Sequence, residues 1–521
     1  MAPERGPRPA HDRRPGSPRD GRPAAAQRAR EPRKFQGPQK SRKPQKLRDG
    51  RTEPARRTAY DVLYAVAERG AYANLLLPAL LRERGIGGRD AALATELAYG
   101  TLRGLQTYDA ILDLCSDRRP GAVDPPLREV LRLGAHQLLA TRVASHAAVA
   151  TSVDLAKDVA GTRPAGFVNA VLRRVATRSL DEWLRIIAPD RSADPIGYLA
   201  TRYGHPRWIA ESFRDALGEG PGSGLGETEM ALAAGNEPPR LCLAAVPGLA
   251  DRAELTGSQA VAARWSPFGA ALDGGDPAAL PPVAGGRAIV QDEASQMAAL
   301  ALARAPLTGP DHAWLDMCAG PGGKAALLAG LAAGRGARLL ASDVRPHRAR
   351  LVRSRTGRLG SAAVVVADGR APAWRAARPG AGTPAGQSGG AFDRVLADVP
   401  CSGLGALRRR PEARWRKSPE DVAGLAGLQR DLLDAGVGSA RPGGVIAYVT
   451  CSPHVAETRD VVGDVVAGRG DVSVLDAPAV LAEVPGLRCP DPHGTFAQFW
   501  PHRHGTDAIF IALLRREPTA W

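Results

Sequence analysis

The sequence predicts a multidomain protein in which an all-α bundle precedes an α/β domain with a doubly wound sheet. From Thr52 to about residue 180, apolar residues recur at i, i+3 and i+4, which is typical of amphipathic helices. From residue 286 onward, short apolar strands alternate with helical segments, and this alternation indicates a parallel sheet. A length of 521 residues leaves room for several separate cores.

Residues 1–51 differ in composition from the rest of the chain. They are rich in Pro, Arg, Gly and Gln and contain almost no large apolar residues, so we expect them to be disordered. Residues 1–50 hold fifteen Arg or Lys against five Asp or Glu, out of a formal net charge of +16 for the chain. This tail favours a polyanionic partner through counterion release, or it serves only as a solubilising arm.

Cysteine usage and hydropathy indicate the compartment. The six cysteines form no C-x-x-C pair, which argues against zinc knuckles and for free thiols in a reducing cytoplasm. No apolar segment has the length of a membrane span, and no apolar region follows the basic N-terminus as in a secretory signal. His493, His502 and His504 lie close together in sequence, but no supporting carboxylate–His helix pair accompanies them, so we expect no metal.

The pattern places domain boundaries near residues 180 and 285. Residues 52–180 form the helical domain, 181–285 a small connecting subdomain, and 286–517 the α/β domain. Within the connecting subdomain, residues 204–218 predict a helix, and a strand is expected within 236–248. The stretch 371–391, rich in Ala, Gly and Pro, is expected to be a mobile surface insertion between two strand–helix units.

The segment LDMCAGPGGK (315–324) combines a strand, a glycine-rich turn and the start of a helix near Lys324. Glycines allow close approach of the backbone to a ligand, and a helix N-terminus offers free N–H donors. Such turns are common in α/β proteins, so the motif alone is weak evidence for a ligand site.

Acidic residues strengthen this prediction. Four successive strands are each expected to end in an aspartate: Asp316, Asp343, Asp368 and Asp398. Ligands of open α/β sheets bind beyond the carboxyl ends of the strands, and an acid after the second strand can accept ribose hydroxyls. The turn lacks the G-x-G-x-x-G pattern of dinucleotide sites, which favours S-adenosylmethionine as the nucleoside ligand.

Two cysteines, Cys401 in ADVPCSGLG and Cys451 in YVTCSP, follow apolar strands at the same edge of the predicted sheet. A thiolate that adds to C6 of cytosine makes C5 electron-rich enough to accept a methyl group, and removal of the C5 proton then expels the enzyme. Asp398, three residues before Cys401, is placed to protonate or hydrogen-bond the base. The base must leave its stack, or come from a single-stranded loop.

The motifs VQDEASQMAALAL, LDMCAGPGGK, ADVPCSGLGALRRRPEARWR, YVTCSP and HGTDAIFIALL resemble, in this order, the RsmB (Sun/Fmu) family of ribosomal RNA 5-methylcytosine methyltransferases. The segments ATELAYGTLR, VLRLGAHQLL and GFVNAVLRR resemble the NusB fold of antitermination factors, a helical bundle that binds RNA. The resemblance spans about residues 52–516. It implies a NusB-like bundle followed by a Rossmann-like, S-adenosylmethionine-dependent methyltransferase domain.

The resemblance also assigns roles that sequence spacing leaves open. It implies that Cys451 attacks the base and that Cys401 assists product release. It implies cofactor contacts at Cys318, Ala319, Gly320, Pro321, Gly322, Gly323, Lys324, Asp343, Asp368 and Asp398. Gly320 stands where the family usually has alanine, and LCLAAV (241–246) lacks the Arg and Asn expected after the preceding P-P segment. The implied substrate is ribosomal RNA of the small subunit, and we expect a monomer.

The segment LRRRPEARWRK (407–417) follows the Cys401 loop directly. Its arginines and tryptophan predict phosphate contacts combined with base stacking, and a solvated basic loop is the alternative. The residues predicted to bind RNA are Arg408, Arg409, Arg410, Arg414, Trp415 and Arg416.

Two other functions fit parts of the pattern. One is a non-catalytic RNA-binding assembly or antitermination factor with an inactive methylase domain; both cysteines and all four acids argue against it. The other is a methylase acting on proteins or small molecules; the helical domain and the basic segment argue against that.

Overall fold

The structure is a computed structural model that describes residues 52–117, 122–219, 225–257, 259–371 and 390–518. The predicted N-terminal tail, 1–51, and residues 372–389 of the predicted insertion lie outside the described residues. Within the described ranges, no helix has both the length and the apolar content needed to cross a bilayer.

The helical domain follows the predicted periodicity. Its helices are α1 (Pro54–Arg69), α2 (Ala73–Glu83), α3 (Gly88–Arg103), α4 (Leu105–Cys115), α5 (Pro125–Ala140), α6 (Ser145–Ala160) and α7 (Ala165–Val175). Helix α5 lies at the centre and contacts α1, α3, α4, α6 and α7. It begins at Pro125, where a proline's missing N–H costs no helical hydrogen bond. Its middle, from Val130 to Gln137, is buried, because it is surrounded by other helices.

The connecting segment has a helical part and a sheet part. Its helices are α8 (Leu180–Ile187), α9 (Pro195–Arg202), α10 (Arg207–Leu217) and α11 (Gly226–Ala234). An antiparallel sheet follows, with strands β1 (Leu241–Ala245), β2 (Ala260–Ala262), β3 (Gly269–Leu272) and β4 (Ala288–Val290) in the order β2-β3-β1-β4, and α12 (Pro281–Ala284) before β4. The helix and strand expected in 204–218 and 236–248 are present as α10 and β1.

The α/β domain alternates strands and helices as predicted. Its elements are α13 (Glu293–Arg304), β5 (Ala313–Asp316), α14 (Gly323–Ala333), β6 (Arg338–Ser342), α15 (Pro346–Thr356), β7 (Ala362–Val365), β8 (Phe392–Asp398), α16 (Pro419–Ser439), β9 (Ala440–Thr450), α17 (Arg459–Ala467), β10 (Val472–Leu475), α18 (Ala477–Leu481), β11 (Ala497–Gln498), α19 (Pro501–His504) and β12 (Phe510–Arg516). Apolar side chains on both faces of the sheet form two separate cores.

The main sheet is mixed rather than wholly parallel. Among the described residues its strand order is β10-β12-β9-β8-β5-β6-β7, with β11 paired to β12. Strands β7, β6, β5, β8 and β9 run parallel, as predicted. Strand β12 runs antiparallel to β9, β10 and β11, which corrects the expectation of a parallel sheet at this edge. The β11–β12 pair is antiparallel because only short α19 separates the two strands, and a parallel crossover needs a dozen or more residues.

Candidate active site

The glycine-rich turn between β5 and α14 is held against the neighbouring strand. The backbone N–H of Ala319 donates to Ser342 O at 2.8 Å, at the end of β6. Gly322 has φ +104°, a conformation that side chains rarely adopt, and a Cβ there would lie 3.0 Å from Val352 Cα. The turn thus passes so close to α15 that glycine is required at this position.

Asp343 closes the turn from the side of β6. Its Oδ2 accepts a hydrogen bond from Gly320 N at 3.2 Å, and its Oδ1 accepts one from Arg345 N at 2.8 Å. A Cβ at position 320 would lie 2.3 Å from Asp343 Oδ2. The absence of a side chain at Gly320 therefore leaves room for this carboxylate to contact the turn.

Asp316, the last residue of β5, lies at the base of the turn and has no exposed surface. Its Oδ1 accepts from Cys318 N at 3.3 Å, whereas Oδ2 has no hydrogen-bond partner among the described residues. Burial, and then the charge of Asp398, raise the pKa of Asp316 to about 8. The site therefore contains an unsatisfied buried acid that a cationic or hydrogen-bonding ligand would stabilise.

Asp398, the last residue of β8, joins the turn to the cysteine loop. Its Oδ2 accepts a hydrogen bond from Lys324 Nζ at 2.9 Å, and the lysine belongs to the first turn of α14. Burial alone would lower the pKa of Lys324, but Asp398 raises it, so the side chain stays charged. This pair brings together two residues that the sequence predicted for the same site.

Asp368 is less closely associated with the turn. It follows β7 by three residues, and Arg370 binds both of its carboxylate oxygens, with Nη2 at 2.7 Å from Oδ2. Its charge still contributes to the raised pKa of the Cys318 thiol, for which burial is the main cause. The structure thus gathers Asp316, Asp343 and Asp398 at the turn and places Asp368 at the outer side.

The two predicted cysteines face each other. Cys401 follows β8 and Cys451 follows β9, and these neighbouring parallel strands bring the two Sγ atoms to 3.3 Å. The hydrogen bond from Cys401 lowers the pKa of Cys451, assisted by the positive charges of Lys324 and Arg410 and opposed by burial and Asp398. The same hydrogen bond, together with burial, raises the pKa of Cys401. Of the two thiols, Cys451 is therefore the one that loses its proton more readily.

Glu457, which was not predicted from the sequence, holds the residue that follows Cys401. It is fully buried, and its carboxylate accepts hydrogen bonds from Ser402 N at 2.7 Å, from Ser402 Oγ, and from Gln429 Nε2 at 3.1 Å. Tyr448 Oη donates to Glu457 O at 2.7 Å. These bonds fix the Cys401 loop. The sequence shows that Glu457 lies six residues after Cys451, but no local pattern predicts its contact with Ser402.

The basic segment 407–417 lies mostly inside the protein. Arg408 and Arg409 form a buried ion-pair cluster with Asp292 and Asp507, in which Arg409 Nη2 lies 2.7 Å from Asp292 Oδ2 and Arg408 Nε lies 3.0 Å from Asp507 Oδ1. Arg414 has no exposed surface. Its guanidinium donates to main-chain and side-chain oxygens: Arg103 O, Gly204 O, Gly235 O and Asn236 Oδ1.

The end of the segment contacts the helical domain. Trp415 Nε1 donates to Leu102 O at 3.0 Å, and Arg416 Nη2 donates to Ala71 O at 2.6 Å and to Val66 O at 3.0 Å. The prediction that Arg408, Arg409, Arg414, Trp415 and Arg416 are available for RNA is therefore corrected, because their polar groups are used within the protein. Arg410 is exposed, and its charge acts on Cys451.

The histidines near the C-terminus have protein partners. His502 Nε2 lies 2.6 Å from Glu227 Oε2, and His504 bonds to Trp500 N and Arg488 O, both at 2.9 Å. No group of three or more His, Cys, Asp or Glu suited to a metal ion occurs among the described residues.

The fold and this site define a methyltransferase built on an α/β sheet. The family profile described as 16S rRNA methyltransferase RsmB/F matches residues 305–515, and the NusB family profile matches residues 53–177. The chain belongs to the RsmB/F family of 16S rRNA methyltransferases, as the sequence motifs indicated.

Relatives match over nearly their whole length. A methyltransferase of Mycobacterium tuberculosis, whose name specifies no substrate, is 50% identical to this chain over 466 residues. The match covers 89% of this chain and 97% of the relative. The ribosomal RNA small subunit methyltransferase B of Pseudomonas putida is 32% identical over 469 residues, covering 88% and 98%. That of Vibrio cholerae is 30% identical over 476 residues, covering 89% and 97%.

A solved structure has the same fold. The crystal structure of PH0851 aligns with a TM-score of 0.70 at 20% identity, covering 89% of this chain and 99% of that chain. At this identity the likeness concerns the fold alone, including the arrangement of helical and α/β parts.

Proposed function

We propose that this chain transfers a methyl group from S-adenosylmethionine to C5 of a cytosine in RNA, through a covalent bond between Cys451 Sγ and C6. The observation that carries the proposal is the cysteine pair, 3.3 Å apart, in which the pKa of Cys451 is lowered and that of Cys401 is raised. The family of 16S rRNA methyltransferases supports RNA as the substrate.

The residues of the turn fit the methyl donor. Gly320 and Gly322 keep side chains out of the turn, and Asp343 offers carboxylate oxygens where a ribose would lie, after the second strand of the unit. Asp316 Oδ2 is a buried acceptor without a partner among the described residues. The bound donor supplies an electrophilic methyl group on a positively charged sulfur, and that charge favours the ionised form of the buried Asp316 carboxyl.

Cys451 begins the reaction as the thiolate. Its sulfur adds to C6 of the cytosine, a new S–C bond forms, and the electron pair of the C5–C6 bond becomes available at C5 for the methyl group. Asp398, held by Lys324, lies beside this sulfur and is the group proposed to hydrogen-bond the base. Because the cysteines are largely enclosed, the cytosine must leave its stack to reach them.

Cys401 assists the release of the product. The C5 proton passes to solvent water, its electron pair re-forms the C5–C6 double bond, and the S–C6 bond breaks with its pair returning to Cys451. Cys401 Sγ lies at hydrogen-bond distance from the departing sulfur and can stabilise it as a thiolate. Ser402 and Glu457 hold Cys401 in this position.

Arg410 is the member of the basic segment that remains proposed as an RNA contact. It is exposed, and it is the positive side chain of that segment whose charge reaches Cys451. A phosphate of the flipped nucleotide near Arg410 would lie close to the attacking sulfur. Small-subunit ribosomal RNA as substrate, the monomeric state and the cytoplasmic location remain part of the proposal.

Methylation of a 16S rRNA transcript by the purified full-length chain tests the proposal. With S-adenosylmethionine we expect 5-methylcytosine at one position, read by bisulfite sequencing, and the same position should lose its signal in cells that lack the gene. Methyl transfer to another base, or to another atom of cytosine, would refute the cysteine chemistry. Absence of any transfer by the wild-type chain to ribosomal RNA would refute the substrate.

A further inference from the structure

A second concave site lies outside the methyltransferase sheet, where the helical domain meets the connecting segment. It has a volume of about 240 Å³ and is lined by α3, α5 and the residues that follow α9. Pockets for drug-sized ligands have roughly 300–1,000 Å³. This cavity therefore has room for a smaller planar group, the size of one nucleobase.

The floor of the cavity is built from two buried aromatic rings. Tyr108 Oη and His136 Nδ1 are 2.9 Å apart. Both rings pack against glycines, one in α3 and one directly after it: a Cβ at Gly100 would lie 2.3 Å from His136 Cε1, and one at Gly104 would lie 2.6 Å from the Tyr108 ring. The two glycines, four residues apart, thus leave room for both rings, whose centroids lie 5.7 Å apart with an angle of 58° between the ring planes.

Weakly satisfied polar atoms line the cavity. His136 is 2% exposed and its buried Nε2 has only a long contact, to Glu96, whereas Arg103 Nε is buried with no hydrogen-bond partner among the described residues. Glu96 Oε1 lies 3.5 Å from His136 Nε2, and His136 lowers the pKa of Glu96, which keeps this acceptor ionised at the entrance. Buried polar atoms are normally satisfied, so these atoms point to a polar ligand.

Positive charge and an aromatic ring stand at the entrance. Arg202 lies over the Tyr203 ring at 5.9 Å, and its Nη1 is 3.7 Å from Asp181 Oδ1, a weak and exposed pair. The Tyr203 hydroxyl donates to Glu229 Oε1 at 2.9 Å, which fixes the ring. An arginine beside a fixed aromatic ring is the combination that binds a phosphate next to a base.

The cavity is also tied to the segment that follows the Cys401 loop. Arg414 donates to Arg103 O at 3.4 Å, to Gly204 O at 3.2 Å and to Asn236 Oδ1 at 2.7 Å, and these three residues belong to the cavity wall. A ligand in the cavity would therefore contact the same wall that anchors the catalytic domain.

We propose that this cavity binds one unstacked nucleotide of the substrate RNA, separate from the cytosine that is methylated. Its base enters against Tyr108 and His136 and donates an amino group to Glu96, and its phosphate contacts Arg202. The proposal rests on the proposed function, because it takes RNA as the substrate. The cavity would fix the RNA on the helical domain while another nucleotide reaches the cysteines.

Two single variants of the full chain test the site by different means. Ala140→Trp blocks the entrance with an uncharged group at an exposed residue, the last of α5. Arg202→Ala removes the phosphate contact. Arg163→Ala, an exposed arginine elsewhere on the helical domain, is the charge-matched control. The KM for a 16S rRNA transcript, kcat and S-adenosylmethionine binding are measured for each.

We expect Ala140→Trp and Arg202→Ala to raise the KM for RNA roughly 5- to 50-fold, the scale of one stacked base. Donor binding and kcat should be unchanged, which also reports that the variants fold, and Arg163→Ala should behave as wild type. An unchanged KM in Ala140→Trp, or an equal loss in Arg163→Ala, would overturn the proposal. If the wild-type chain itself transfers no methyl group to RNA, the proposed function fails instead.

Discussion

The Sγ atoms of Cys401 and Cys451 lie 3.3 Å apart although fifty residues separate them in the chain. The distance results from the parallel pairing of β8 and β9, whose last residues are adjacent in the sheet. The contact lowers the pKa of Cys451 and raises that of Cys401, so the two thiols differ in how readily they lose a proton.

Cys451→Ala should lower the rate of methyl transfer by several orders of magnitude, because it removes the attacking atom. Cys401→Ala should still form the S–C6 bond but release it slowly, and an RNA-linked band should accumulate on a denaturing gel. Cys489→Ala, which changes a buried cysteine that contributes to the core, is the control. Normal turnover of Cys401→Ala without such a band would reverse our assignment.

Lys324→Met should raise the pKa of Cys451, since the lysine's positive charge stabilises the thiolate. Thiolate forms as pH rises through this pKa, so the acidic limb of the rate profile should move to higher pH by about one unit, with about tenfold lower rates below it. The rate is measured at saturating donor. Lys324→Arg keeps the charge and should keep most of the profile. If the acidic limb of the Lys324→Met profile stays where it is in the wild type, the lysine charge does not stabilise the Cys451 thiolate.

Binding of S-adenosylmethionine at pH 7 should release protons from Asp316. Its pKa of about 8 means that the free protein holds the carboxyl mainly protonated at this pH, and a nearby positive ligand favours the ionised form. Calorimetry in two buffers with different ionisation enthalpies counts the protons. Asp316→Asn should remove this release, and the same proton count in both proteins would exclude Asp316 as its source.

Glu457→Gln should lower kcat about 10- to 100-fold with the KM for the donor unchanged, because the loop that holds Cys401 loses its anchor. The carboxylate accepts from both Ser402 groups and from Gln429, whereas an amide has one acceptor oxygen and would present N–H groups to donors. The pH dependence of alkylation of the two cysteines should change as well. Glu483→Gln, at an exposed residue, is the matched control. An unaltered alkylation profile would leave Glu457 with a purely structural role.

Arg414→Met should lower the free energy of unfolding by about 2–4 kcal/mol, since it leaves several buried carbonyl oxygens without donors. Burial lowers the pKa of Arg414 to about 9, so it is charged at neutral pH and its hydrogen bonds are charge-assisted. Arg410→Ala, four residues away and exposed, should change stability by less than about 0.5 kcal/mol. Chemical denaturation measures both, and equal effects would show that Arg414 does not hold the domains together.

The sequence was sufficient for the features that depend on local periodicity. The strands that lead to Asp316, Asp398 and Cys451 could be recognised because each is a short, nearly continuous apolar run, as expected of strands buried on both faces. The parallel strand–helix units then place those residues at one edge of the sheet, which is why the turn and the cysteine pair were anticipated. The helices of the N-terminal domain follow from their apolar spacing in the same way.

Contacts between distant segments were decided only by the tertiary structure. The sequence of an arginine-rich segment does not tell whether its side chains are solvated or buried. Arg414 is buried because α3, α11 and the turn after α9 enclose it. Glu457 meets Ser402, and β12 runs antiparallel beside β9, for the same reason. Strand ends are set by neighbouring residues, whereas burial and pairing depend on residues tens to hundreds of positions away, which local patterns do not specify.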